Sequence, residues 1–325
     1  MVYDDKASLV DRVVCVDYGA RGVVSKLYQA AYTVVGRPLC KTAAQVLEKL
    51  ISAGGSVLLA TGFRVLRFGG RYETDGVISS TVLASILSRE FNADVGVVVD
   101  SGFGQIFKSL ADEGGLKRLK ILELPPGDMT RQNIFKRFVE ELNPSISIAV
   151  ERPAANFKGV YHNSRGQDIS SLHSKIDQLL KELRDDGVPL IAVGDGGNEV
   201  GMAVVREAVE EYVPYGRVCV CGCGGGIASS TACDYPVIAS VSDLGVYGIL
   251  ALLTDGSKML PPPSLLEKIF DRALEMGCVD AVYGPGYRGV DGVDVYSIQS
   301  VIKTIQSVIK STITTASRKP PPPKN

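Results

Sequence analysis

The chain has 325 residues, is 45% hydrophobic and is close to neutral, with 35 Lys and Arg against 36 Asp and Glu for a net charge of −1. That length buries a sizeable core, and the balanced charge excludes the basic footprint of a nucleic-acid binder. No apolar run reaches the roughly 18 residues needed to cross a bilayer, and the N-terminus MVYDDKASLVDR lacks a basic segment followed by an apolar one. A cytoplasmic protein with a small-molecule substrate and neither membrane nor nucleic acid as partner is therefore expected. Assembly with copies of itself is left open.

Seven cysteines, an odd number in a long chain, do not form the framework of a small secreted domain. Cys219, Cys221 and Cys223 follow a C-x-C-x-C spacing, which on a strand turns all three thiols to one face. Metal binding is one reading, but the separated Cys pairs of structural zinc sites are missing, which favours buried small side chains. His162 and His173 are the only histidines, so a hard metal has to be held by carboxylates, amides and water.

From the N-terminus, an apolar run at 13–16 leads to Asp17, Gly19 and Arg21, and the spacing predicts helices over 23–35 and 42–51, separated by Gly36 and Pro38. Val57 to Ala60 reads as a buried strand, followed by Thr61, Gly62 and a Gly- and Arg-rich loop to Glu73, Thr74, Asp75 and Gly76. A helix over 77–91, a strand over 95–99, a turn at Asp100 and a helix to about Asp112 come next. The full G-x-G-x-x-G is absent there, so no nucleotide cofactor is expected. Residues 119–124 predict a strand, 130–142 a helix capped by Asp128 or Thr130, and 146–150 a strand ending at Glu151 and Arg152. The polar segment 151–169 is long enough for a functional loop. It contains His162, a hydrogen-bonded or proton-transferring histidine, and a helix over 170–183 capped by Asp168 or Ser170 follows it.

The run LIAVGDGGNEVGM from Leu190 is a strand buried on both faces, broken by Gly194, Gly196 and Gly197. A helix is expected to restart at Asn198 as N-cap, with Glu199 in its first turn. Strands over 217–220 and 236–241 follow, then helices from Ser242 through Leu253, over 265–276 and over 298–309. The tail 313–325, ending RKPPPPKN, is expected to be disordered. Strand and helix alternation from 56 to 254 predicts an α/β fold of the three-layer, Rossmann-like kind: a mainly parallel sheet with helices on both faces and a helical N-terminal part over 1–54, all within one domain over 1–312.

In a parallel sheet every strand ends on the same side, so Glu73, Asp75, Asp100, Glu151, Asp195, Glu199 and Asp243 gather at one rim. Crowded carboxylates repel one another and raise each other's pKa. A Mg or Mn ion held by Asp195, Glu199, Glu151, Asp75 and Asp243 would relieve that repulsion and polarise a substrate oxygen. Arg152 and Arg165 are candidates to hold a substrate carboxylate or phosphate, unless they pair with the acids as structural ion pairs.

Several motifs agree in order and spacing with a known family. Asp17-x-Gly19-x-Arg21-Gly22, Thr61-Gly62-Phe63 followed by Glu73-Thr74-Asp75-Gly76, the run from Glu151 to Ser170, and GDGGNEVGM resemble the C-terminal domain of the mitochondrial D-glutamate cyclases, which also occurs alone in prokaryotes. The resemblance extends from about Asp17 to about Leu252 and implies cyclisation of D-glutamate to 5-oxo-D-proline with loss of water, a lyase reaction. By matching position, Asp195, Glu199, Glu151 and Asp75 would supply the metal or acid/base groups and Arg165 the clamp for the α-carboxylate. Thr61, Gly62, Asn163 and Asn198 lie in the same motifs as further substrate-binding candidates. The chain departs from the family in carrying Val77-Ile78-Ser79-Ser80 after the acidic motif, Ala154-Ala155 in place of Gly-Arg, and Asp243 in place of Asn. A Mg- or Mn-dependent phosphatase and a non-catalytic metal- or small-molecule-binding protein are the alternatives.

Overall fold

The computed structural model describes residues 5–52, 54–116, 118–127, 132–254 and 256–311. Six parallel strands form the central sheet: β1 (Ser56–Thr61), β2 (Val95–Asp100), β3 (Leu119–Leu124), β4 (Pro144–Val150), β5 (Leu190–Gly194) and β6 (Tyr235–Ile238). They lie in the order β3-β2-β1-β4-β5-β6. This is the doubly wound order, in which the winding reverses between β1 and β4 and opens a crevice at their carboxyl ends.

The strand residues alternate between two cores because side chains alternate across the pleat. Val57, Leu59, Val97, Val99, Ile148, Ile191 and Val193 face one core; Leu58, Ala60, Val98, Ala149, Leu190 and Ala192 face the other. The first core is covered by α1 (Asp5–Val14), α3 (Leu39–Ile51), α4 (Val77–Phe91), α5 (Gly104–Glu113), α9 (Ser242–Ala251), α11 (Pro263–Glu275) and α12 (Val295–Lys310). The second is covered by α6 (Gln132–Leu142) and α7 (Ile176–Asp185). Between α1 and α3 runs α2 (Val24–Val35), which packs with α8 (Arg206–Tyr212) through Leu27, Ala31, Val205 and Val209 beside Ile238 at the β6 edge. A short α10 (Gly256–Met259) precedes α11.

α4 and α9 position the site. Both begin at the carboxyl ends of the sheet, and both are buried along most of their length, so neither shows the one-sided apolar stripe of a surface helix. Each Val, Leu or Ile buried in them contributes about 1.5–3 kcal/mol, which fixes where their N-termini point.

Four expectations are corrected. Residues 217–220, expected as a strand, form bends that run on through Gly222, Gly224 and Gly226, whose positive φ leaves no extended backbone beyond them. No helix restarts at Asn198: Glu199 folds back onto the preceding glycines, and α8 starts at Arg206 after a 3₁₀ turn at Ala203–Val205. The helix expected from residue 170 begins only at Ile176. Asp168 instead accepts the Ser170 N–H across a short turn, and Ser170 Oγ accepts the Tyr161 N–H. The proposed caps Asp128 and Thr130 and the tail 313–325 lie outside the described residues. Among the described residues no helix is long and apolar enough to cross a membrane.

Candidate active site

After β5 the chain turns sharply through Asp195-Gly196-Gly197, and the Glu199 carboxylate accepts the N–H groups of Gly196 (2.9 Å) and Gly197 (2.7 Å). Gly197 has a φ of +99°, and a Cβ there would lie 2.6 Å from Val209. The turn therefore needs glycine both for its backbone and for its packing. It leaves Asp195 facing the crevice, where Arg21 Nη2 donates to its Oδ2 at 2.7 Å. Arg21 is presented by its own turn, in which Asp17 accepts the N–H groups of Arg21 and Gly22.

Glu151 follows β4 with a φ of +45°, a strained value for a residue with a side chain. Ser242 Oγ donates to its Oε2 at 2.6 Å. Gly76 makes this approach possible, since a Cβ on it would come within 2.5 Å of the Glu151 Cβ. Asp75 and Asp243 cap each other's helices. Asp243 Oδ1 accepts the N–H groups of Gly76 and Ser79 at the start of α4, while Asp75 accepts those of Ser242 and Asp243 at the start of α9. Both helix N-termini thus point positive ends at the crevice.

Two carboxylate groups result, each with ligand atoms within 4.8 Å of one another: Glu151, Asp195 and Glu199, and Asp75, Asp195 and Asp291. Asp243, expected as a metal ligand, belongs to neither: its Oδ1 accepts the α4 N–H groups, and its other oxygen is buried without a hydrogen-bond partner among the described residues. Glu73, also buried, lines the crevice beside these groups. Burial, followed by repulsion from Asp195, pushes Glu199 up to about 7. Asp291 is pushed to about 8 by the same two causes, against the pull of Arg21. Glu73, Asp75 and Glu151 stand well above the usual carboxylate range, from burial first and then from Asp291, Asp243 and Glu199 respectively. An all-oxygen, anion-rich donor set of this kind fits a hard divalent cation such as Mg²⁺ or Mn²⁺.

The crevice encloses about 640 Å³ including its open mouth, lined by Arg64, Arg67, Asn163, Arg165, Gln167 and Asn198 above the acids. Arg64 donates to Tyr72 and to the Ser101 carbonyl, and Arg67 to the carbonyls of Ala281 and Val282. Arg165 is exposed, and its guanidinium has no partner among the described residues. Asn163 orders that loop by accepting the N–H groups of Arg165 and Gln167. Thr61 and Gly62 lie beneath the crevice rather than on its wall: Gly62 O accepts from Arg152, and Thr61 Oγ1 is buried.

Two further site expectations are corrected by the geometry. Arg152 does not reach the crevice. It is fully buried, pairs bidentately with Asp100 at 2.7 and 2.8 Å and donates to the Ser174 carbonyl, so the ion-pair alternative holds for it, and Asp100 leaves the rim with it. His162 turns its Nε2 away from the acids toward Cys221 Sγ at 3.2 Å. The candidates read from sequence lack Asp291, give no role to Arg21, and place Glu73 at the rim without a role. Asp291 comes from the hairpin joining Gly289–Val290 to Val293–Asp294, beyond the strand-helix alternation. The Asp291-Gly292 pair, with φ of +47° and +80°, was the available signal, since such pairs mark tight hairpin turns.

The fold and crevice define a doubly wound α/β protein with a candidate site at the topological switch point, built from carboxylates and ringed by arginines. A sequence profile described as "D-glutamate cyclase-like, C-terminal" matches residues 10–306, and the chain belongs to that family. It is similar to the human mitochondrial D-glutamate cyclase, with 30% identity over 229 residues that cover 67% of this chain and 36% of the human protein. The chain thus spans about a third of the length of this curated relative.

Proposed function

We propose that the protein is a lyase that converts D-glutamate, or a related amino-dicarboxylate, to 5-oxo-D-proline by intramolecular dehydration. Membership of the family supports the reaction, and the observation that carries it to this site is the meeting of Glu73, Asp75, Glu151, Asp195, Glu199 and Asp291 beneath an arginine-lined mouth. In the reaction the amine nitrogen bonds to the carbon of the γ-carboxyl group and one C–O bond of that carboxyl breaks. Two ammonium protons and that oxygen leave as water.

Arg165, with no partner of its own among the described residues, clamps the α-carboxylate bidentately. Glu151, Asp195 and Glu199 would hold a Mg²⁺ or Mn²⁺ ion, which when bound supplies a Lewis acid for the γ-carboxyl group. Glu73 and Asp291 line the same crevice outside that trio. Asp291 takes one ammonium proton and passes it to the departing carboxyl oxygen, while Glu73 gives that oxygen its second proton and regains one from the nitrogen, so that water leaves and both groups are restored.

Incubation with D-glutamate, with and without Mn²⁺ and after chelation, followed by chiral chromatography for 5-oxoproline, tests this. Product is expected only with metal, and not from Asp195→Ala. The arginines at the mouth would also suit a phosphate ester. Metal-dependent hydrolysis of p-nitrophenyl phosphate without cyclisation would therefore replace this reading by a phosphatase, and bound metal with neither reaction by a binding protein.

A further inference from the structure

Outside the crevice, four side chains from two loops meet without any regular element to bring them together. Cys219 Sγ lies 3.4 Å from Cys221 Sγ and 3.3 Å from Cys223 Sγ, and His162 Nε2 lies 3.2 Å from Cys221 Sγ and 3.6 Å from Cys223 Sγ. All four ligand atoms fall within 4.8 Å of one another. A tetrahedral zinc ion with Zn–S bonds of about 2.3 Å would place its sulfurs about 3.8 Å apart, so a small outward shift accommodates it.

From this juxtaposition we infer that His162, Cys219, Cys221 and Cys223 form a Cys₃His site for a zinc-class divalent cation. Glycine explains how a C-x-C-x-C run does this off a strand: Gly222 (φ +85°), between Cys221 and Cys223, and Gly224 (φ +75°), just after Cys223, turn the backbone so that the thiols converge on one point. His162 is buried with its Nδ1 unpartnered among the described residues, so the polar contacts of its ring are those with the sulfurs. Burial works against a Cys219 thiolate, but hydrogen bonds from Cys223, Cys221 and His162 outweigh it and bring that thiol to about 5. Cys221 moves the other way, to about 11, chiefly through burial. Without metal the cluster therefore favours one thiolate, and a cation would displace the remaining protons.

The site would act as a staple. Residues 213–230 carry no helix or strand; Ile227 and Ala228 are buried, but Val218 and Val220 expose 65% and 58% of their surface, so the cysteine-bearing stretch 217–224 has little apolar anchoring. It touches the substrate-clamp loop through the Val220 N–H to Gly166 O bond. The neighbouring Asn198 Nδ2 donates to His162 O, and Asn156 links Gly226 O to Cys223 Sγ. A metal held here would pin the loop that carries Asn163 and Arg165 at the crevice mouth.

The test uses the full chain, purified under reductant, with Zn²⁺ and Co²⁺ as probes. One equivalent of Zn²⁺ should resist a chromophoric chelator with a Kd that is roughly nanomolar or tighter. Co²⁺ should give thiolate-to-metal charge-transfer absorption and the intense visible bands of a tetrahedral site. Both should be lost in Cys221→Ser and in Cys223→Ser, whose folds are checked by circular dichroism; both should persist in Asp195→Ala, which empties only the crevice. Chelation should also speed hydrogen exchange over 156–168 and 217–226. Absent charge-transfer bands, bands that survive both cysteine variants, or a disulfide among these thiols in freshly reduced protein would overturn the assignment.

Discussion

Replacing Arg152 by Met removes a guanidinium that is wholly buried together with its partner Asp100. The methionine fills much of the space but leaves the carboxylate with only the Ser174 N–H (2.7 Å), the Ser174 hydroxyl and His173 Nδ1 (2.8 Å) to offset its charge. Breaking a buried pair in this way costs about 3–5 kcal/mol. For 325 residues, an unfolding entropy of about 2.1 cal/mol/K per residue gives about 0.7 kcal/mol per kelvin, so Tm should fall by about 4–7 °C in a calorimetric scan near neutral pH. Burial alone would raise the Asp100 pKa, but Arg152 and His173 outweigh it and hold the carboxyl far below its ordinary value. A depressed pKa contributes stability above the unfolded value that is lost only as pH falls through the folded one, so the wild-type pair persists well below about pH 4. In Arg152→Met the carboxyl protonates at milder acidity, and the difference in Tm should narrow as the pH is lowered. Adding Asp100→Asn to Arg152→Met should recover part of the loss. A Tm within about 1 °C of wild type, combined with loss of D-glutamate turnover, would refute the reasoning and return Arg152 to a substrate role.

Other outcomes follow from the crevice. Glu199 and Asp291, lifted to about 7 and about 8 from ordinary values of 4.5 and 3.8, bind protons more tightly folded than unfolded, so their stability contribution is full at low pH and is lost as pH rises through 7 to 8. The metal-free protein should therefore lose Tm across that window in differential scanning fluorimetry, and Mn²⁺ should restore it most at the alkaline end; a flat profile would contradict the clustered carboxylates. Gly76→Ala forces a Cβ to 2.5 Å from Glu151 at a φ of +70°, and should cost about 2 kcal/mol or more in urea unfolding and weaken Mn²⁺ binding by calorimetry. Arg165→Ala should raise KM for D-glutamate about 10- to 100-fold, the worth of a charged hydrogen bond, while leaving Tm unchanged.

The central strands were legible because they are short, mainly apolar runs, as burial on both faces of a parallel sheet demands, the edge strand β3 (LKILEL) because apolar residues still bracket its exposed Lys120 and Glu123, and the helices because their apolar residues recur at helical spacing. The gathering of Glu151, Asp195 and Glu199 was legible for a related reason: each stands just past the end of a parallel strand, and a parallel sheet sends all such ends to one side. Asp100 occupies the same kind of position and yet leaves the rim, because its fate depends on Arg152 and His173, the latter 73 residues further along the chain. No local pattern distinguishes it from Asp195, whose arginine comes from a turn 174 residues away and stays at the edge of the crevice.

What the sequence alone determined is therefore what short-range physics controls: the period of each element, the glycine turns, and the family to which those motifs belong. What the tertiary structure decided is which charged and sulfur-bearing groups meet. Asp291 enters from a hairpin outside the alternation, Asp75 and Asp243 exchange helix caps, and His162 turns from the acids to three cysteines some 60 residues on. Such pairings depend on how loops pack over the sheet, and packing is a property of distances in space that spacing along the chain does not encode.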